Sequence, residues 1–198
     1  MPIPFEDDPL VTFTAWFAEA QARTDAIPEP TAATLATVDA LGMPDARIVL
    51  VKAADARGFL FYTNLESPKA RQLDALPHAA LCFYWGPLDR QVRIRGRIER
   101  VSDAEADAYF ASRPKESQIG AWASKQSQPL VGRFELEKRV AIFAAKYAIG
   151  KVPRPEFWSG YRLVPEAIEF WLKRPYRLHE RLLYTRTDDG WDKQYLYP

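Results

Sequence analysis

Residues 91–101, QVRIRGRIERV, carry the pattern that decides the fold. Val92, Ile94, Gly96 and Ile98 alternate with Arg93, Arg95, Arg97 and Glu99. A period of two with one apolar side is a half-buried β-strand. Further short β-branched or aromatic runs lie upstream at 33–39, 47–53, 58–63 and 79–85, and downstream at 167–172, 181–186 and 191–197. Helical spacing appears at 9–24, with Leu10, Phe13, Trp16, Phe17 and Ala20 on one face, Pro9 in the first turn and Asp8 as cap. A second helix is expected at 67–76, opened by Ser67 and Pro68, and a third at 102–112, where Ser102 and Glu105 form a capping box. A fourth at 133–147 offers Phe134, Leu136, Val140, Phe143 and Tyr147 for burial. Short strands in groups with helices between them predict a mainly β (α+β) domain, a closed or nearly closed antiparallel barrel with peripheral helices.

Composition narrows the function. The 198 residues are 47% hydrophobic and carry 27 basic against 26 acidic side chains, a net charge of +1 that argues against general nucleic-acid or membrane-surface binding. No apolar run approaches the roughly 18 residues of a membrane span, and the opening MPIPFEDD has no signal-peptide pattern. A cytoplasmic protein is expected, with residues 1–198 as one domain. With Cys82, His78 and His179 as the only cysteine and histidines, no structural zinc site of these residues is available. The nine glycines are never closer than ten residues, so neither GxGxxG nor a Walker loop exists. A phosphorylated ligand would have to be held by arginine, lysine and hydroxyl side chains.

Such side chains are present. Arg47 and Lys52 bracket the strand Ile48–Val51, but five residues apart they fall on opposite faces of an ideal strand. Lys69 lies in a helix's first turn, Tyr109 precedes Arg113 and Ser117, and Gln126 and Ser127 follow Trp122. Arg93, Arg95 and Arg97 are most simply a solvated sheet face. Arg177, His179 and Arg181 alternate, and on one strand face they would repel unless an anion or carboxylates sit among them. From physics alone, an anionic-ligand site and a surface salt-bridge face explain that triplet equally.

Six separated segments add a resemblance: RIVLVK (47–52), FYTN (61–64), RQVRIRGR (90–97), YFASRPKESQIGAWASKQS (109–127), FWSGYRLVPEAIEFW (157–171) and RLHER (177–181). In these the chain resembles the pyridoxamine 5′-phosphate oxidase family of flavin enzymes. The resemblance implies an FMN-binding split β-barrel homodimer with FMN at the interface and a C-terminal dimerisation and substrate segment at about 155–198. It implies a cofactor site of Arg47, Ile48, Val49, Leu50, Val51, Lys52, Tyr62, Thr63, Lys69, Gln91, Gln126, Ser127, Trp171 and Arg181, some from the second chain. The substrate phosphate would be held by Lys52, Tyr109, Arg113 and Ser117, with Arg177 and His179 as catalytic residues over the ring. The implied reaction oxidises pyridoxamine or pyridoxine 5′-phosphate to pyridoxal 5′-phosphate, with O₂ reoxidising the flavin to give H₂O₂.

Departures from the family pattern are also visible. Only seven residues precede Asp8, none of them Arg or Tyr, where the family has an arm bearing both over the substrate. Pro68 stands where the family has an arginine, FWLK (170–173) where it has FWQG, and YLYP closes the chain where it has RLxP. These leave open a related oxidase of a phenazine-type substrate and a flavin-binding protein without turnover, with a nucleic-acid-binding barrel as a distant fourth reading.

Overall fold

The computed structural model describes residues 2–198. Eight strands form one antiparallel sheet: β1 (Ala32–Val38), β2 (Pro44–Asp55), β3 (Gly58–Asn64), β4 (His78–Trp85), β5 (Arg90–Arg100), β6 (Trp158–Leu172), β7 (Glu180–Thr187) and β8 (Gly190–Leu196). Their spatial order is β3-β2-β1-β4-β5-β6-β7-β8, and an additional β3–β6 pairing closes the first six into a barrel. The 15-residue β6 makes this possible by dividing its edge. Its first part pairs with β3 from Trp158↔Asn64 to Leu163↔Phe59, and its second with β7 from Ala167↔Thr185 to Leu172↔Glu180.

The alternation expected of residues 91–101 holds: Val92, Ile94, Gly96 and Ile98 are buried, while Arg93, Arg95 and Arg97 are exposed. The first part of β6 is not legible in this way. Residues 158–163 are all buried, so no alternation marks them, and Pro165 sits at a register shift where a missing N–H is tolerated. The strand expected at 167–172 therefore begins nine residues earlier.

Helix α1 (Pro9–Gln21) fills the barrel mouth, its N-terminus capped by Asp8, whose side chain accepts from the Leu10 N–H at 2.9 Å. Phe13 meets Phe59 at 4.9 Å and Phe83 at 5.3 Å between ring centres, and Trp16 meets Phe170 edge-on. Each such buried aromatic contributes about 1.5–3 kcal/mol from area alone. Helix α2 (Pro68–Ala75) has Pro68 at its start, but the Ser67 hydroxyl makes no capping bond and accepts from Lys69 Nζ instead.

At α3 (Asp103–Ser112) Ser102 caps as expected by accepting from the Glu105 N–H, whereas the Glu105 carboxylate turns to Arg162 and leaves the capping box half made. Helix α4 (Lys115–Ala123), which was not among the helices expected from the sequence, follows directly. Helix α5 (Glu135–Lys146) buries none of its own residues: Phe143 and Tyr147 rest on Trp122, while Phe134, Leu136 and Val140 face outward. Among the described residues no helix is long and apolar enough to cross a membrane.

Candidate functional site

A cavity of about 470 Å³ opens where β2, β3, α2, α3, α4 and the start of β6 converge. On β2, Ile48, Leu50 and Lys52 share the outward parity and line it, with Val49 between them. The register slips between Val51 and Ala53, a bulge at Lys52. β3 contributes Tyr62 and Thr63, and α2 contributes Lys69. Tyr109 of α3, Arg113 at its end and Ser117 in the first turn of α4 form one wall, completed by Gln126 and Trp158.

Among the described residues three cations line this cavity and no carboxylate does. Lys69, 9% exposed, donates only to neutral oxygens: Thr63 Oγ1 at 3.3 Å, Ser67 Oγ at 3.3 Å and Gln126 Oε1 at 3.2 Å. Burial, then the nearby Arg47 charge, holds its ammonium below the ordinary 10.5. Arg113 is held by ring faces, its guanidinium carbon 5.0 Å from the centre of Trp158 and 5.6 Å from that of Phe110. Its Nη1 is buried with no acceptor, and burial pulls its pKa down. A buried, unpaired cation is costly unless a ligand anion meets it. Tyr62, Tyr109 and Trp158 cluster with near-parallel rings, Tyr62 lying 4.0 Å from Tyr109 and 5.1 Å from Trp158 between ring centres, and the latter two 6.2 Å apart. Burial pushes the Tyr62 phenol up to about 12, so it stays a neutral hydroxyl. The cavity has the chemistry of a pocket for anionic, flat ligands, which fits both a flavin phosphate and a phosphorylated pyridine.

A second cluster lies elsewhere on the chain. Gln91, Trp171 and Arg181 stand side by side across β5, β6 and β7. The His179 ring lies 4.6 Å from that of Trp171, and His179 Nδ1 accepts from the Arg174 N–H at 3.2 Å. Arg181 donates through Nε to Glu169 Oε1 at 2.8 Å and through Nη1 to the Tyr197 carbonyl at 2.9 Å. Glu169, 5% exposed, is also paired with Arg93. Burial opposes its ionisation, but the hydrogen bonds from Arg181 and Arg93 hold its carboxyl below the ordinary value.

Eleven of the residues expected at the site line the first cavity; the others do not. Val51 points into the core at 4% exposure. Arg47 lies on the other face from Lys52, as the ideal-strand argument requires, and binds Asp45, Thr37 and Gln72. Ser127, exposed with φ 68°, lies beside the cavity-lining Gln126 but does not itself line it. Gln91, Trp171, His179 and Arg181 form the second cluster.

The expectation that Arg177, His179 and Arg181 share one strand face is corrected: only Arg181 lies in β7, and Arg177 belongs to a 3-10 turn over Pro175–Arg177. In that turn Tyr176 and Arg177 both adopt positive φ, 59° and 62°. For non-glycine residues this costs about 1–2 kcal/mol each. Trp158 and Glu169 were not anticipated as site residues. The run PEFW (155–158) was the available signal for Trp158; nothing local marks Glu169, whose partners come from β5 and β7.

Comparison with known proteins agrees with the family resemblance. Residues 19–145 match the family profile described as pyridoxamine 5′-phosphate oxidase, and residues 158–198 match the pyridoxine 5′-phosphate oxidase C-terminal dimerisation region. A pyridoxine/pyridoxamine 5′-phosphate oxidase of Caulobacter vibrioides is 57% identical over 197 residues, covering 100% of this chain and 88% of the relative. One of Rhodospirillum rubrum is 58% identical over 196 residues, 96% of each chain. Among solved structures, PhzG from Burkholderia lata 383 in complex with tetrahydrophenazine-1-carboxylic acid superposes with a TM-score of 0.91 at 31% identity, covering 98% of this chain and 94% of that one. An FMN-binding protein related to pyridoxamine 5′-phosphate oxidase from Nostoc punctiforme shares the fold, with a TM-score of 0.75 at 18% identity over 94% and 97% of the two chains.

Proposed function

Since this chain belongs to the pyridoxamine 5′-phosphate oxidase family, we propose that its two residue clusters are the halves of one oxidase site, assembled when two copies meet. The enzyme is an FMN-dependent oxidoreductase that converts pyridoxamine and pyridoxine 5′-phosphates to pyridoxal 5′-phosphate. The observation that carries the site assignment is the carboxylate-free cavity holding Lys52, Lys69 and Arg113. Outward apolar side chains beside it, Ile48 at 62% exposure and Leu50 at 37%, suit a surface that a second copy covers. The whole chain acts as one FMN-binding domain, with 155–198 as its dimerisation and substrate segment.

When bound, FMN supplies the acceptor for a hydride from the substrate carbon C4′, and O₂ is the terminal acceptor in this reading. Lys69, with Thr63 and Gln126 around its ammonium, holds the flavin phosphate. Ile48, Val49, Leu50, Lys52, Tyr62 and Gln126, with the adjacent Ser127, would surround the cofactor from one chain, and Gln91, Trp171 and Arg181 would approach from the other, while Val51 stays in the core. Arg47 is tied to Asp45 and Thr37 in the chain alone and would have to turn to reach the flavin. Lys52 and Arg113 neutralise the substrate phosphate while Tyr109 and Ser117 donate hydroxyls that fix its orientation. Arg177 and His179 hold the pyridine ring so that C4′ faces the flavin.

The test is an anaerobic titration of FMN-loaded protein with pyridoxamine 5′-phosphate, followed by flavin absorbance. Bleaching that reverses on admitting air is expected. A flavin that binds but never bleaches, with pyridoxine 5′-phosphate tried as well, overturns the reaction. PhzG matches at TM-score 0.91, yet the lower identity of 31% and the intact cationic cavity favour the phosphorylated substrate over a phenazine-type one.

A further inference from the structure

The turn Pro175–Arg177 holds a strained tyrosine whose side chain finds no compensating contact among the described residues. Tyr176 adopts φ 59°, ψ 22°, a conformation that a bulky L-residue avoids and that asparagine or glycine accepts far more readily. Its side chain recovers nothing in return within the protein. It is 93% exposed, and no ring contact or hydrogen bond of its side chain occurs among the described residues. The turn is nevertheless held from several sides. Leu178 N–H donates to the Pro175 carbonyl at 3.1 Å, and Arg174 N–H donates to His179 Nδ1. Arg174 also pairs with Glu180 at 2.7 Å, and the same carboxylate accepts from the Ile3 N–H at 2.6 Å. Surroundings that impose a strained conformation on an outward aromatic place the reason for it outside the chain.

We infer that Tyr176 is a specificity-determining residue, an aromatic side chain presented beside Arg177 to cover the flat ring of the bound substrate. The inference rests on the oxidase reading, because that reading puts Arg177 over the substrate. Two features favour a heteroaromatic anion over a protein partner as the occupant. Arg177 has no carboxylate partner among the described residues, so a cation stands free directly beside the exposed ring. His179 and Trp171 already form a π-surface at the base of the same turn. A ring that carries a phosphate meets both needs at once, stacking on aromatic faces and pairing with the guanidinium.

The test uses FMN-loaded wild type, Tyr176→Asn and Tyr176→Phe. Melting temperature, oligomeric state and affinity for pyridoxal 5′-phosphate (from the flavin difference spectrum) are measured beside KM and kcat for pyridoxamine 5′-phosphate. Asparagine accepts the backbone conformation, so Y176N raises the melting temperature by about 1–4 °C. It also loses about 3- to 10-fold in affinity, the size of one aromatic contact, with KM rising more than kcat falls. Y176F recovers most of that loss without the gain in melting temperature. Y176N that is more stable yet binds pyridoxal 5′-phosphate like wild type overturns the inference, as does Y176N that becomes monomeric, or Y176F no better than Y176N. Wild type that binds pyridoxal 5′-phosphate but never oxidises the substrates overturns the reaction alone, since the affinity ratio still reads Tyr176. Wild type that binds no pyridoxal 5′-phosphate overturns both.

Discussion

The guanidinium of Arg113 sits 5.0 Å from the centre of the Trp158 ring, with one of its nitrogens buried and lacking any acceptor. The two residues are 45 positions apart, joined only where the end of α3 crosses the start of β6. The ring aims the cation without neutralising it, which a carboxylate in the same place would do.

Arg113→Ala is therefore expected to raise KM for pyridoxamine 5′-phosphate by about 10- to 100-fold, the worth of one charge-assisted hydrogen bond, with a smaller effect on kcat. Oxidation of unphosphorylated pyridoxamine should change far less. Steady-state kinetics with both substrates check this, and equal losses on both would remove Arg113 from phosphate recognition.

Lys69→Met should weaken FMN binding, read as quenching of flavin fluorescence on titration, while stabilising the flavin-free protein. In that form the lysine's folded-state value lies below 10.5, so the folded protein holds the proton less tightly than the unfolded chain. Its stability thus rises with pH through that folded value toward the ordinary one, and the methionine variant lacks this rise. FMN affinity runs the other way, falling as Lys69 loses its proton, and Lys69→Arg should extend affinity to higher pH.

Glu169→Ala strands two arginines on the outer face of β5 and β7. Arg93 is 48% exposed and Arg181 26%, so water moderates the loss to about 1–3 kcal/mol. The folded carboxyl titrates below its ordinary 4.5, which makes its contribution complete above that pH and progressively lost as pH falls through the folded value. Urea unfolding at several pH values should show the gap between wild type and Glu169→Gln narrowing in acid; a gap independent of pH would contradict the ion pairing.

Gly96→Ala should destabilise the barrel by about 1–3 kcal/mol or more. A Cβ there would lie 2.0 Å from the Val164 carbonyl oxygen, backbone of the strand paired across the bulge. Thermal melts of the variant measure it, and a melting temperature equal to wild type would show that β6 yields without cost.

Legibility in the sequence followed the range of the interactions. The alternation of β5 and the Asp8 and Ser102 caps were readable because each depends on neighbours within a few residues. Helix α4 was not, because Pro114 and Gly120 blur a short segment whose burial of Ile119 and Ala123 depends on packing against the rest of the fold. The first half of β6 was hidden because burial on both faces removes the period of two. Within the site, Lys52, Tyr109, Arg113 and Ser117 were named from the family pattern. Trp158 and Glu169 act through partners that no local pattern reveals.

Taken alone, the sequence determined a mainly β protein with helices set between groups of strands, no glycine-rich phosphate cradle, and a family whose motifs run along nearly the whole chain. These follow from side-chain period, residue supply and motif order, all properties of the linear chain. Tertiary structure alone decided that Lys69 and Arg113 face a cavity without a carboxylate among the described residues, and that Arg47 is held by Thr37 and Gln72. It also decided that Arg181 is held by Glu169, and that Tyr176 is strained and exposed. Each depends on strand register, on a bulge or on the meeting of segments far apart in sequence. The energies that set those meetings belong to the packed molecule rather than to any stretch of it.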